Sequence, residues 1–280
     1  MPRPRSSSKS VVSPLNWLSA HLPLVILAGL TLNGLAVVVA GALKSAAGPS
    51  MLFGLSPFQL VTVLAAVALV ARGKASLPRN AWLEAPVILL ALIPSSAVAW
   101  GALMLYAGFL VWKTRGGQRI GAALFAGLAA TRLWSAVGMS WLAGPITTAE
   151  ALMVANFLSF AVPEVAWSGN VVGPEGGFRL ILLPACASAD MVPKALVALA
   201  ALVAFFDGAY DRRFVNLAAI TAILLVIGNW IRLAAMAVSY EHYELIHGPL
   251  GANIFDLYQT VLIVAAAYML IGQVERPRHA

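Results

Sequence analysis

Apolar runs of about eighteen residues or more recur between residues 22 and 273, with few charges between them. Such a run matches the hydrocarbon thickness of a bilayer, and in lipid the backbone has no water to bond. Each run must therefore close its own hydrogen bonds as a helix. Only 10% of the residues are charged and 61% are hydrophobic, whereas soluble domains carry about a quarter charged residues. The expected fold is all-α: a polytopic transmembrane bundle of about eight helices, with a short extracytoplasmic loop or hairpin and an interfacial helix. Residues 1–280 read as a single integral membrane domain with a five-helix N-terminal part (1–146) and a C-terminal part (147–280). No separate soluble domain fits.

The spans fall at roughly 22–43, 57–71, 82–93, 95–112, 119–141, 187–207, 214–239 and 256–273. Around Pro94-Ser95-Ser96 two short helices or one kinked helix both fit. The basic start MPRPRSSSKS and the small residues at 45–48 resemble a signal peptide. The apolar stretch is longer than a signal core, so it reads as a retained first helix.

Charge sets the expected orientation. Arg3, Arg5 and Lys9 precede the first span; Arg72, Lys74 and Arg79 follow the second; Lys113, Arg115 and Arg119 follow the fourth. Arg212 and Arg213 follow the sixth, and Arg276 and Arg278 the eighth. With eight crossings, these 13 of the 18 Lys and Arg lie on one face, which the positive-inside tendency makes cytoplasmic. Both termini are then inside, and Glu150, Glu164, Glu175, Glu241 and Glu244 fall outside. The net charge of +7 thus serves topology, and no nucleic-acid partner is expected. The pattern requires that TTAEALMVANFLSFAVP (147–163) does not cross. It reads as an interfacial or re-entrant helix capped by Thr147 or Thr148. Gly, Pro and Asn then punctuate two β-type runs, which predicts a small hairpin or loop. Trp134, Trp141, Trp167 and Trp230 read as part of the interfacial aromatic belt.

The chain has one cysteine, Cys186, so it forms no intrachain disulfide. No Cys/His cluster points to zinc, and no cofactor is expected. Cys186 opens the sixth span, whose 21 residues cover about 30 Å, and Arg232 lies roughly 27 Å along the antiparallel seventh span. Asn229 shares the Arg232 face, and His247 lies in the following loop. A thiol, a guanidinium and an imidazole are thereby brought to one depth at the outer boundary. Together they suit acyl transfer. An imidazole can take the thiol proton, a cation favours the thiolate, and Arg can hold a developing oxyanion. The helix N-terminus adds positive potential beside the sulfur. The ordinary structural readings stand beside these. A lone Cys is commonly packing, and a helix-end Arg commonly snorkels. His242 rivals His247. Asp190 and Lys194, one and two turns below Cys186, form an i,i+4 pair or line a cleft that receives a substrate helix. Arg132, inside the fifth span, faces an ion-pair partner or a substrate acid.

The stretches PACASADM (184–191), GNWIRLAAM (228–236) and HGPLG (247–251), in that order, resemble the exosortase/archaeosortase family of membrane cysteine transpeptidases. The likeness spans about 147–272, including the Gly-rich loop before Cys186; the first five spans match only as generic hydrophobic helices. It implies catalytic Cys186, Arg232 and His247, with Asn229 beside them; Asp190, Lys194 and Arg132 are candidates for contact with the substrate from their placement in the spans. It also implies partners. The substrates are membrane-tethered proteins whose C-terminal sorting signal combines a Pro-Glu-Pro-like motif, a transmembrane helix and a basic tail. The product passes through a thioester to an envelope acceptor. One departure is Ala187-Ser188, where the family commonly has Ser-Gly after the Cys. The alternatives are a non-enzymatic carrier or assembly factor for envelope or exopolysaccharide export, and a Cys-independent envelope transferase.

Overall fold

A computed structural model describes residues 14–43, 56–73 and 77–271. The basic residues Arg3, Arg5, Lys9, Lys74, Arg276 and Arg278, the small residues at 45–48 and the end of the eighth span lie outside the described residues. The helices are α1 (Pro14–Leu43), α2 (Pro57–Ala71), α3 (Ala81–Ala91), α4 (Ser96–Lys113), α5 (Gly116–Leu133), α6 (Met139–Leu158), α7 (Ser188–Phe205), α8 (Arg212–Ala237), α9 (Tyr240–His247) and α10 (Pro249–Ile271). Among the described residues six helical stretches are long and apolar enough to cross a membrane, so the chain is a helical bundle of membrane-protein composition. About eight crossings were expected. The difference lies in α2 and α3, apolar but only 15 and 11 residues long. Pro94 separates α3 from α4, which resolves the kink-or-break question as a break.

The main correction concerns residues 147–163. They form no separate helix and Thr147 caps nothing: its Oγ1 donates to the Ala143 carbonyl at 2.7 Å within α6. α5 runs into α6 through a π-helical turn at Trp134–Gly138, making one helical stretch of 43 residues, Gly116–Leu158. At 1.5 Å per residue this is about 64 Å, twice the hydrocarbon thickness. α6 thus continues the α5 helix and is not a separate helical stretch. The stretch also runs through residue 146 without interruption.

After α6 comes a three-stranded antiparallel sheet: β1 (Val165–Ser168), β2 (Val171–Pro174) and β3 (Leu180–Ile181), in spatial order β1-β2-β3. Gly169, at φ +58°, makes the tight turn between β1 and β2. Asn170 closes the sheet onto the next segment, its Nδ2 donating to the Leu182 carbonyl at 2.9 Å. The predicted hairpin is therefore present, with one extra short strand.

Three apolar clusters hold the bundle. One joins α1 to α5 and the far end of α7, with Trp100, Tyr106 and Phe125 fully buried. A second joins α6, the sheet and the last turns of α8, and Cys186 packs against it. A third joins α7, α8 and α10. Two of the four belt tryptophans make contacts inside the protein. Trp134 Nε1 donates to the Ala189 carbonyl at 2.8 Å, and the Trp230 ring lies 6.1 Å from that of Phe157. Trp141 is exposed, at 81%.

Candidate functional site

Cys186 closes a single 3₁₀ turn, Pro184–Cys186, directly before α7. Ala187, at the N-cap of α7, has no side chain that can cap the helix. The missing acceptor comes from α6: Glu150 Oε1 accepts the Ser188 amide at 2.7 Å. From α8, Asn229 Nδ2 donates to the Cys186 carbonyl at 2.9 Å and to Ser188 Oγ at 3.1 Å. The cysteine backbone is thus clamped between two neighbouring helices. Glu150 also faces the positive end of α7 with a carboxylate, which offsets the helix-end potential expected beside the thiol. Arg232 lines the same cavity as Cys186.

Cys186, Asp190, Lys194, Asn229 and Arg232 line one cavity of about 280 Å3. It has room for roughly nine waters at about 30 Å3 each. The guanidinium of Arg232 sits 4.6 Å from the centre of the Phe255 ring, a cation–π contact that fixes its plane. Asp190 and Lys194 form the i,i+4 pair at 2.5 Å, and both also face the cavity. The other carboxylate oxygen of Asp190 accepts from Ser135 Oγ in the π turn.

Two predicted residues lie outside this lining. Arg132 donates to Gln59 Oε1 at 3.0 Å and lies 5.8 Å from the Trp100 ring centre. His247 is the last residue of α9, exposed, and stacked on Tyr243 at 4.9 Å. Its neighbour Ile246 packs against the same apolar cluster as Cys186. The rival His242 is tied to the start of α9, where its Nδ1 lies 2.8 Å from Ser239 Oγ.

Three features escaped the sequence reading. Asp256 and Gln259 complete the cavity from α10. Asp256 had seemed to open the last span, but α10 starts at Pro249, so Asp256 lies nearly two turns inside. Glu150 reads from sequence as an acid outside the spans, yet it lies within α6 and is 7% exposed. α9 was read as loop, although Ser239 accepting from the His242 amide and Glu241 in the first turn are a helix-start signal.

A second, apolar groove of about 730 Å3 runs between α8 and α10 beneath α9. Gly228 and Ile231 form one wall, Gly251 and Ile254 the other, and Leu245 and Ile246 close the top. Arg232 and Phe255 line both the groove and the polar cavity, so the two spaces meet at the guanidinium. Comparison with protein-family models, with curated proteins and with solved structures gives no match to this chain.

Proposed function

We propose that this protein is an exosortase-like cysteine transpeptidase or protease of a prokaryotic cytoplasmic membrane. Both termini face the cytoplasm, and the Cys186 end faces outward. Its substrates are envelope proteins tethered by a C-terminal sorting signal with a Pro-Glu-Pro-like motif and a transmembrane helix. The observation that carries this reading is that Cys186, Asn229 and Arg232 line one small polar cavity where an apolar groove ends.

In this reading the substrate helix lies in the α8–α10 groove and presents the peptide just outside it to the cavity. The Cys186 thiolate attacks the carbonyl carbon, and Arg232 receives the negative charge that develops on oxygen. His247, carried by α9, donates a proton to the leaving amine. Asn229 holds the Cys186 carbonyl and so keeps the sulfur aimed. Asp190, Lys194 and, at longer range, Arg132 set the charge met by the sorting motif. The thioester is then resolved by an envelope acceptor or by water.

The test is co-expression with a sorting-signal protein and measurement of its cleavage. Cys186→Ala is expected to abolish cleavage while the membrane level of the enzyme is retained. Undiminished cleavage in that variant sinks the reading and favours the Cys-independent transferase or the carrier.

A further inference from the structure

The sheet that precedes Cys186 has an open edge. Leu182 N–H donates to the Asn170 carbonyl at 2.8 Å, and the Leu182 carbonyl accepts from Asn170 Nδ2. Leu182 and, two positions earlier, Leu180 are therefore bonded toward β2. In an antiparallel ladder the residue between them points its N–H and C=O the other way. That residue is Ile181, opposite Val171, and β3 is the last strand in the order β1-β2-β3. Among the described residues nothing pairs with the outward N–H and C=O of Ile181. The side chains alternate in step: Leu180 and Leu182 are buried, whereas Ile181 and Leu183 are 58% and 57% exposed. An edge with unpaired backbone and apolar side chains is a template for another strand, and proteins blunt such edges with charge or proline. Neither stands in β3. Arg179, just before it, reaches the other way and donates to the Ala166 carbonyl on β1 at 2.8 Å.

We propose that β3 is a docking edge for the substrate, whose extended segment beside the scissile bond adds to it as a fourth strand. The inference rests on the cysteine reading above for the identity of this guest; the edge itself does not depend on that reading. Ile181 N–H donates to one substrate carbonyl, and Ile181 C=O accepts one substrate amide. The guest is a peptide segment and not a second copy of the chain. The strand is two residues long, too short to carry the roughly 1,000 Å2 that a stable interface between folded partners buries. The edge also leads straight to the thiol. Cys186 follows Ile181 by five positions, a reach of at most about 18 Å. A guest strand paired with Ile181 therefore arrives at the Cys186 cavity within about five of its own residues. Main-chain bonds of this kind give affinity without reading sequence, and the side chains that meet Ile181 and Leu183 add selectivity.

The experiment measures binding, so it needs no catalysis. The full chain carrying Cys186→Ala, in detergent, is titrated into a fluorescent acetylated peptide with a Pro-Glu-Pro core and followed by anisotropy. A second peptide carries an N-methyl group on the Glu nitrogen, the one amide N–H of that core. Ile181→Pro removes the outward N–H, places its ring in the path of the guest and leaves the bonds to β2, at an edge position where proline is tolerated. It is expected to weaken binding about tenfold, the scale of one or two main-chain hydrogen bonds. The N-methyl peptide should lose a similar factor with Ile181 in place and nothing further with Ile181→Pro. Ile181→Ala keeps the N–H and should stay within about twofold, the range of a surface substitution. Unchanged binding by Ile181→Pro, an equal loss in Ile181→Ala, or full additivity of the two changes overturns strand addition. So does a peptide that fails to bind. Loss of a dimer in Ile181→Pro with peptide binding intact also overturns it and assigns the edge to a second copy. If Ile181→Pro does not fold, the N-methyl comparison decides alone. Binding as expected by a protein whose wild-type Cys186 forms no adduct keeps the docking edge and removes the cysteine reading.

Discussion

Cys186 owes its position to bonds made around its sulfur, through its carbonyl and the next helix turn. Asn229→Ala removes the donor on the Cys186 carbonyl and the bond to Ser188 Oγ. A buried group left unpaired costs about 1–3 kcal/mol, so a lower thermal midpoint is expected. Processing should fall about 100-fold, because a displacement on the order of 1 Å at the reacting atom is enough. Glu150→Ala strips the acceptor from the Ser188 amide and should cost about 1–3 kcal/mol on the same argument. Glu150→Gln keeps an acceptor oxygen and should cost less; thermal unfolding of the two variants checks the order. Arg232→Lys keeps the charge but loses the planar fork. Cleavage should drop by about 100-fold or more while Cys186 still reacts with a small maleimide.

At single positions the sequence disclosed what local pattern can disclose. The ordered Cys, Asn-x-x-Arg set marked residues that line one cavity, because the start of α7 packs beside the later turns of α8. Glu150 was invisible for the opposite reason. Its partner is a backbone amide 38 positions away, and no periodicity reports such a pairing. Asp256 was hidden by its charge, which reads as the edge of a span rather than as a group inside one.

Among the elements, the α5–α6 rod is where sequence punctuation misled. A span ending near 141 and a separate helix from 147 were the expectation, yet α6 continues through Pro145. In an apolar setting a broken backbone leaves unpaired groups, so continuing the helix costs less than ending it. The π turn between α5 and α6 presents Ser135 to Asp190, and such turns often sit at functional positions. Deleting one residue from 140–144, inside α6 and beyond the π turn, should rotate the rest of the helix by about 100°. Glu150 would then turn away from Ser188. The expected result is retained helix content by circular dichroism with processing reduced about 100-fold. Retained activity would show that α6 does not position the cysteine.

The bundle as a whole places a polar cavity where an apolar surface groove ends, an arrangement suited to a ligand with an apolar stem and a reactive carbonyl. Ile254 lies in the groove and is 60% exposed, so Ile254→Trp fills the groove without displacing a packed neighbour. It should lower processing of a membrane-tethered substrate by about tenfold, the loss expected from imperfect seating. The maleimide reactivity of Cys186 should be unchanged. Equal loss of both would mean that the cavity collapsed and the groove was never tested; labelling with an impermeant maleimide on intact cells would then separate collapse from occlusion. That thiol assay also checks sidedness, since outward exposure predicts labelling without permeabilisation. The presence of apolar helices could be read from hydropathy, but their number and bounds only in part, and the groove not at all, because it exists only where three helices pack.

Trapping the intermediate decides the matter. Wild-type enzyme and a sorting-signal protein are mixed, quenched in acid and analysed by intact mass and peptide mapping. The account predicts a hydroxylamine-labile adduct joining the substrate's new C-terminus to Cys186, greatly reduced in Arg232→Lys and absent in Cys186→Ala. Cleaved substrate with an unmodified Cys186 at every time point, or an adduct on another residue, contradicts it.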